Sequence, residues 1–234
     1  MEIDVAVAKA GKWASSESGD TLEMIERPHG GLSFVLADGQ RSGRAAKAIS
    51  NLVARKVISE LAEGVRDGAA ARAAHDYLYT HRGGKVSATL NILSVDLTSR
   101  TLVLSRNSHC PIIVIPSDGE IQLIDTPSEP IGVRRRTKPQ ITELPIEPGT
   151  MVVAYTDGLE TAGARSSCVF DIPAAASELA ARDNASAQAV ADGLLKQALA
   201  LEEGRPRDDI SVLVLRILDR EHDGMRRLAV KLPL

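Results

Sequence analysis

The chain opens on an alternation of apolar and polar positions in which Ile3, Val5 and Val7 point one way, the pattern of a strand with one buried face. A second strand is predicted over Thr21–Glu26. A third is predicted over Leu32–Ala37, a nearly continuous apolar run that ends in Asp38-Gly39. Pro28-His29-Gly30-Gly31 between them is a turn signal, so these two strands should form a hairpin. The period then changes. Ala45, Ile49, Leu52, Val53, Val57 and Leu61 recur every three or four residues, as on the inner face of an amphipathic helix that Gly64 closes. Asp67 is placed to cap a second helix running to about His81, which Gly83-Gly84 stops.

Further strands are predicted over Val86–Asp96, Thr101–Arg106, Pro111–Pro116, Glu120–Ile124, Gln140–Leu144 and Met151–Tyr155, with turns such as Ser117-Asp118-Gly119 between them. A helix over Ser186–Glu202 and a buried strand over Ile210–Ile217 follow. Strands in hairpin runs, with the first two helices as a pair, point to an α+β fold and away from a parallel α/β sheet. The pattern shows no internal repeat and no low-complexity linker. Alternation is weak after Asp219, so residues 1–218 read as one domain and 219–234 as an extension, either a peripheral strand or a tail.

A length of 234 residues suits a single domain, and 44% hydrophobic with 25% charged residues is ordinary for a globular protein. Aromatics are only 3%, too few for a base-stacking platform, and a net charge of -3 does not favour nucleic acid as a partner. The densest basic run, Arg134-Arg135-Arg136 with Lys138, reads as a solvated loop or as a contact for an acidic partner. No apolar stretch approaches the roughly 20 residues of a membrane span. Met1-Glu2-Ile3-Asp4 lacks the basic and apolar regions of a signal peptide, and Cys110 and Cys168 form no CxxC pattern. A cytoplasmic protein with reduced thiols and no membrane partner is expected; the oligomeric state is left open.

Candidate chemistry lies where strands stop. Asp38-Gly39 follows one apolar run, Asp157-Gly158 follows Met151–Tyr155 through Thr156, and Asp208-Asp209 immediately precedes Ile210–Ile217. Carboxylates gathered at one edge repel one another unless a cation neutralises them, and oxygen-only ligands select hard ions such as Mg²⁺ or Mn²⁺. Each Asp-Gly alone also fits a plain turn; the joint placement is the signal.

The segments LADGQRSGRAA, SATLNILSVDL, EPGTMVVAYTDGLETA and RDDISVLVLRI occur, in this order, over roughly residues 15 to 217. In this the chain resembles the bacterial SpoIIE-type branch of the metal-dependent PPM (PP2C-like) phosphatases, and its length without a sensor domain looks like the RsbX-like members. The resemblance implies an antiparallel β-sandwich flanked by helices on both faces, in four layers αββα, and two divalent cations, Mn²⁺ or Mg²⁺. It implies that Asp38 bridges the ions, that the Gly39 carbonyl is a ligand, and that Asp157 and Asp208 hold ions as well. Asp209 would be an alternative ligand beside Asp208, and Asp20 in Ser18-Gly19-Asp20 would hold metal-bound water, although Gly-Asp is also an ordinary turn.

The activity implied is hydrolysis of phosphoserine or phosphothreonine on a partner protein, an anti-sigma antagonist or stressosome component, by hydroxide attacking phosphorus in line. No protein nucleophile is needed, and neither cysteine starts a Cys-x5-Arg loop. Asn107-Ser108-His109-Cys110-Pro111 departs from the Ala-Gly-His-Asn-Pro of many relatives. His109 could assist proton transfer or be structural; Arg41 and Arg44 could approach phosphate or merely flank a helix start. The helix after Asp38 could act as a regulatory switch or only cover the sheet. Two other readings stand beside the phosphatase: a catalytically silent binding module of the same fold, and a metal-dependent phosphoesterase for small molecules.

Overall fold

The computed structural model describes residues 1–166, 168–182, 185–219, 224–225 and 227–231. In chain order the elements are β1 (Glu2–Ala10), β2 (Asp20–Glu26), β3 (Gly31–Gly39), α1 (Gly43–Ala62), α2 (Asp67–Arg82), β4 (Ala88–Asp96), β5 (Thr101–Asn107), β6 (Ile112–Ile115), β7 (Gln122–Ile124), β8 (Gln140–Pro145), β9 (Met151–Tyr155), α3 (Asp157–Glu160), α4 (Ile172–Ala180), α5 (Ala187–Leu201) and β10 (Ile210–Leu218). Every strand expected from the pattern is present. So are the helix pair and the later helix, α5. Two short helices, α3 and α4, were not expected, because one turn and nine residues are too short for the period to show. A signal for α4 does exist in Asp171 and Pro173: the Asp171 side chain caps the helix by accepting from the Ala174 N–H.

The strands form two five-stranded antiparallel sheets. One has the order β1-β10-β9-β6-β7 and the other β2-β3-β4-β5-β8. They pack face to face over Phe34, Leu36, Leu93, Leu104, Val152, Leu213 and Leu215. The residues between Phe34 and Leu36, and beyond, point the other way: Val35 and Ala37 meet Val53, Val57, Ala74 and Leu78 of α1 and α2. Across the molecule, Val153, Tyr155 and Val212 meet Leu179 of α4 and Val190 and Leu194 of α5. The central strands are therefore buried on both faces, which is why their sequences read as continuous apolar runs. The four-layer αββα sandwich follows from this two-sided burial. Alanines such as Ala54, Ala70, Ala71 and Ala74, all buried, let the helices sit close in a chain with few aromatics.

Asp67 corrects one expectation. It is not the cap; Arg66 occupies that position without a side-chain hydrogen bond, and Asp67 is the first helical residue. Its buried carboxylate pairs with Arg27 at 2.7 Å and accepts the hydroxyl of Ser94. Ser94 lies 2.6 Å from Ser33, so β2, β3, β4 and the start of α2 meet in one polar cluster inside the fold. Of the proposed extension 219–234, residues 219, 224–225 and 227–231 show neither helix nor strand, and the rest lie outside the described residues. Among the described residues no helix is long and apolar enough to cross a membrane.

Candidate metal centre

Antiparallel pairing sets Asp20 directly opposite Asp38 on β2 and β3, so their side chains leave the same face of one sheet. Asp157 begins α3 just past β9, and Asp208 precedes β10, which is β9's neighbour in the other sheet. The two sheets are tied together at this end. Asp20 Oδ2 accepts the hydroxyls of Thr156 at 3.0 Å and Ser211 at 2.6 Å, and the Ser211 N–H donates to Thr156 Oγ1 at 2.9 Å. Asp20 and Ser211, joined through this oxygen, are 191 positions apart in the chain.

Both Asp-Gly pairs need their glycine for close approach. A Cβ on Gly39 would lie 2.0 Å from the Ala46 carbonyl oxygen of α1, and one on Gly158 would lie 2.1 Å from the Asp209 carbonyl oxygen. Neither glycine has a positive φ, so close packing and not backbone conformation requires it. Gly39→Ala is expected to force α1 off the end of β3 at a cost of ~1–3 kcal/mol. Chemical denaturation checks this; an unchanged midpoint would show that the contact is relieved locally.

The acids perturb one another strongly. Burial, then the charges of Asp20, Asp157 and Asp208, push the Asp38 carboxyl well above the ordinary carboxylate range. Asp20 is raised mainly by burial, against the lowering effect of the Ser211 hydroxyl, the Lys9 charge and the Thr156 hydroxyl. Asp157 is raised by burial and by Asp208, while His109 lowers it. Lys9 Nζ and Lys47 Nζ donate to the Asp20 backbone carbonyl, at 2.9 and 2.7 Å, and not to its carboxylate. Asp20 Oδ1 is buried with no hydrogen-bond partner. Among the described residues these carboxylates form no ion pair, and one oxygen is orphaned, which fits a site for hard divalent ions. Among the described residues no three of these carboxylates bring one oxygen each within 4.8 Å of one another, so the group is wider than the shell of a single ion.

Asp38, Asp157 and Asp208 are half-buried. Asp209 is placed differently. It is buried, and its two oxygens accept the backbone N–H of Lys12 at 2.9 Å and of Gly19 at 2.7 Å. Its carboxylate pins the loop before Asp20, which argues against its use as an ion ligand. Arg44 extends into solvent near Glu17, and Arg41 sits at a positive φ in the turn before α1. Arg134 pairs with Glu129, and Arg135 donates to the Tyr79 hydroxyl, as a surface loop would. A cleft of about 730 Å³ lined by Arg27, His29, Arg66, Asp67 and Arg72 lies elsewhere and includes none of these aspartates. Thr156, Ser211, Lys9 and Lys47 were missed as contributors. The first two stand inside the quoted motifs, whereas nothing in the sequence marks the two lysines.

The architecture is that of the PP2C-like phosphatase fold. Residues 28–218 match the family model described as Stage II sporulation protein E (SpoIIE), and the chain belongs to that family. Stage II sporulation protein E of Bacillus subtilis is 20% identical over 231 residues, 99% of this chain but 27% of that protein. The chain therefore spans about a quarter of the length of that relative. The PP2C phosphatase domain of that protein, solved with a fragment of its regulatory domain, superimposes with a TM-score of 0.79 at 20% identity, covering 93% of this chain and 64% of that one. RsbX in complex with magnesium gives a TM-score of 0.68 at 19% identity, with 91% and 94% covered.

Proposed function

We propose that this chain is a metal-dependent protein serine/threonine phosphatase that uses two divalent cations, Mg²⁺ or Mn²⁺. The observation that carries the proposal is the mutual electrostatic pressure among Asp38, Asp157 and Asp208, delivered to one edge by two different sheets. Asp38, the Gly39 carbonyl, Asp157 and Asp208 would hold the ions. Asp20, fixed by Thr156 and Ser211, would orient water through its free Oδ1. When bound, such ions acidify water for attack on phosphorus and neutralise the phosphoryl oxygens. The chain itself contributes a rigid, oxygen-only frame, and its half-buried carboxylates leave the site accessible to a phosphorylated residue on a folded partner.

The relatives support a class of partner. RsbX, a chain of the bacterial stressosome system and the RsbU and RsbW domains of a Mycobacterium tuberculosis protein share the fold, with TM-scores of 0.68, 0.69 and 0.74. These support a phosphorylated anti-sigma antagonist or stressosome protein as substrate, met in the cytoplasm. Helix α1 touches both metal-side strands, with Ala46 against Gly39 and Gly19, so a shift of this helix would move Asp38 and Asp20 together. That contact supports a regulatory role for α1.

The test is release of phosphate from phosphoserine proteins of that class, with and without Mn²⁺, alongside phosphopeptides and small phosphate esters. Cation-dependent turnover that prefers the phosphoprotein is expected. Preference for small esters would favour the small-molecule phosphoesterase. Absence of turnover on every substrate, with cations bound, would favour the silent binding module.

A further inference from the structure

Beside the acidic edge stands a second group of donors with different chemistry. His109 and Cys110 lie in the loop between β5 and β6, and Glu160 ends the single turn of α3. Their donor atoms all lie within 4.8 Å of one another. Cys110 Sγ is 3.5 Å from Glu160 Oε2, and His109 Nε2 is 3.5 Å from the same oxygen. Zinc bonds of about 2.3 Å to sulfur and 2.0–2.2 Å to nitrogen or oxygen, at tetrahedral angles, separate sulfur from oxygen by about 3.6 Å and nitrogen from oxygen by about 3.4 Å. The two separations to Glu160 Oε2 already match those of ligands around one ion, and the third lies within 4.8 Å.

We propose that His109, Cys110 and Glu160 form a distinct site for a thiophilic divalent cation, Zn²⁺ in the first place. It goes beyond the phosphatase reading and does not depend on it. The aspartate group offers oxygen alone and suits hard ions, whereas a sulfur, an imidazole nitrogen and one carboxylate select a softer ion. The loop is set before any ion arrives. Arg106, fully buried, donates to the carbonyl oxygens of Ser108 and Thr126 and reaches that of Cys110 at 3.5 Å. The Cys110 N–H donates to Ser108 Oγ at 3.1 Å, and Pro111 follows. Cys110 thus projects from a braced backbone, while the His109 and Glu160 side chains are 54% and 43% exposed and leave an open side for a fourth ligand from solvent.

Binding breaks the Cys110 S–H bond, forms the sulfur–cation bond and releases one proton to solvent. Asp157 shares α3 with Glu160 and feels the charge of His109, so a cation at this site also bears on the aspartate group.

Co²⁺ titrated into the full chain is the direct test. A near-ultraviolet thiolate-to-Co²⁺ charge-transfer band is expected, displaced by one equivalent of Zn²⁺ and untouched by excess Mg²⁺. Cys168→Ser should keep the band, Cys110→Ser should lose it, and Glu160→Gln should weaken Zn²⁺ binding tenfold or more, as loss of a ligand's support does at other sites. The proposal is overturned if no charge-transfer band forms, if Zn²⁺ fails to displace it, or if the band survives Cys110→Ser.

Discussion

Asp38→Asn is expected to raise the thermal midpoint of the cation-free protein while removing ~10²- to 10³-fold or more of its cation-dependent hydrolysis. The gain arises because the native state confines this carboxyl with three others, and burial is the largest part of its elevation. A folded-state pKa above the unfolded value means that the native chain binds more protons than the unfolded chain in the window between the two. Asp38, Asp20 and Asp157 are all shifted in this direction. Stability contributed by their protonated forms is complete below the ordinary carboxylate range and is lost as pH rises through the folded values. Without cations the protein should therefore melt lower at pH 8 than at pH 5. Asparagine cannot ionise, so it removes part of that loss, on the order of 1–3 kcal/mol. Divalent cations should reverse the slope for the unaltered chain, since they bind the ionised carboxylates. Melting curves at both pH values, with chelator and with Mn²⁺, measure all of this. A variant that is no more stable and no less active would remove Asp38 from the centre of the site.

Asp67→Ala should be the most destabilising single substitution away from that edge. It leaves Arg27, whose side chain is 9% exposed, as a buried guanidinium without its carboxylate, and it strips Ser94 of its acceptor. Removing one partner of a buried pair costs ~3–5 kcal/mol, far more than the pair itself contributes. For a chain of this size each kcal/mol moves the midpoint by about 2–4 °C, so a fall of ~6–20 °C is expected by calorimetry. Asp67→Asn keeps an acceptor for Ser94 and should lose much less. Equal losses in the two variants would mean that the charge, not the hydrogen-bonded shape, is what the site requires.

Much of the fold was legible because the sandwich writes its burial into the chain. Leu32–Ala37 reads as a strand because Phe34 and Leu36 face one layer while Val35 and Ala37 face another. Helix α1 reads as a helix because one stripe, from Ile49 to Leu61, is buried. Helix α3 left no trace, since a single turn has no period. Asp67 was misread as a cap because a sequence shows an acid at a helix start but not the arginine 40 positions earlier that claims it. The close approach that requires a glycine after Asp38 and after Asp157 is to backbone of other segments, which no local pattern shows.

By itself the sequence determined which acids terminate strands and, through oxygen-only chemistry, what sort of ion they suit. Only the tertiary structure decided how these acids divide. Asp208 and Asp209 are adjacent in the chain, yet Asp208 stays open to solvent while Asp209 turns inward to two backbone N–H groups. Only the folded chain, too, carries Glu160 to His109 and Cys110, 50 positions from the cysteine. The physical reason is common to both. A side chain's direction and its distant neighbours are fixed by strand pairing across two sheets, and no local pattern of apolar and polar residues encodes which strand ends will share an edge.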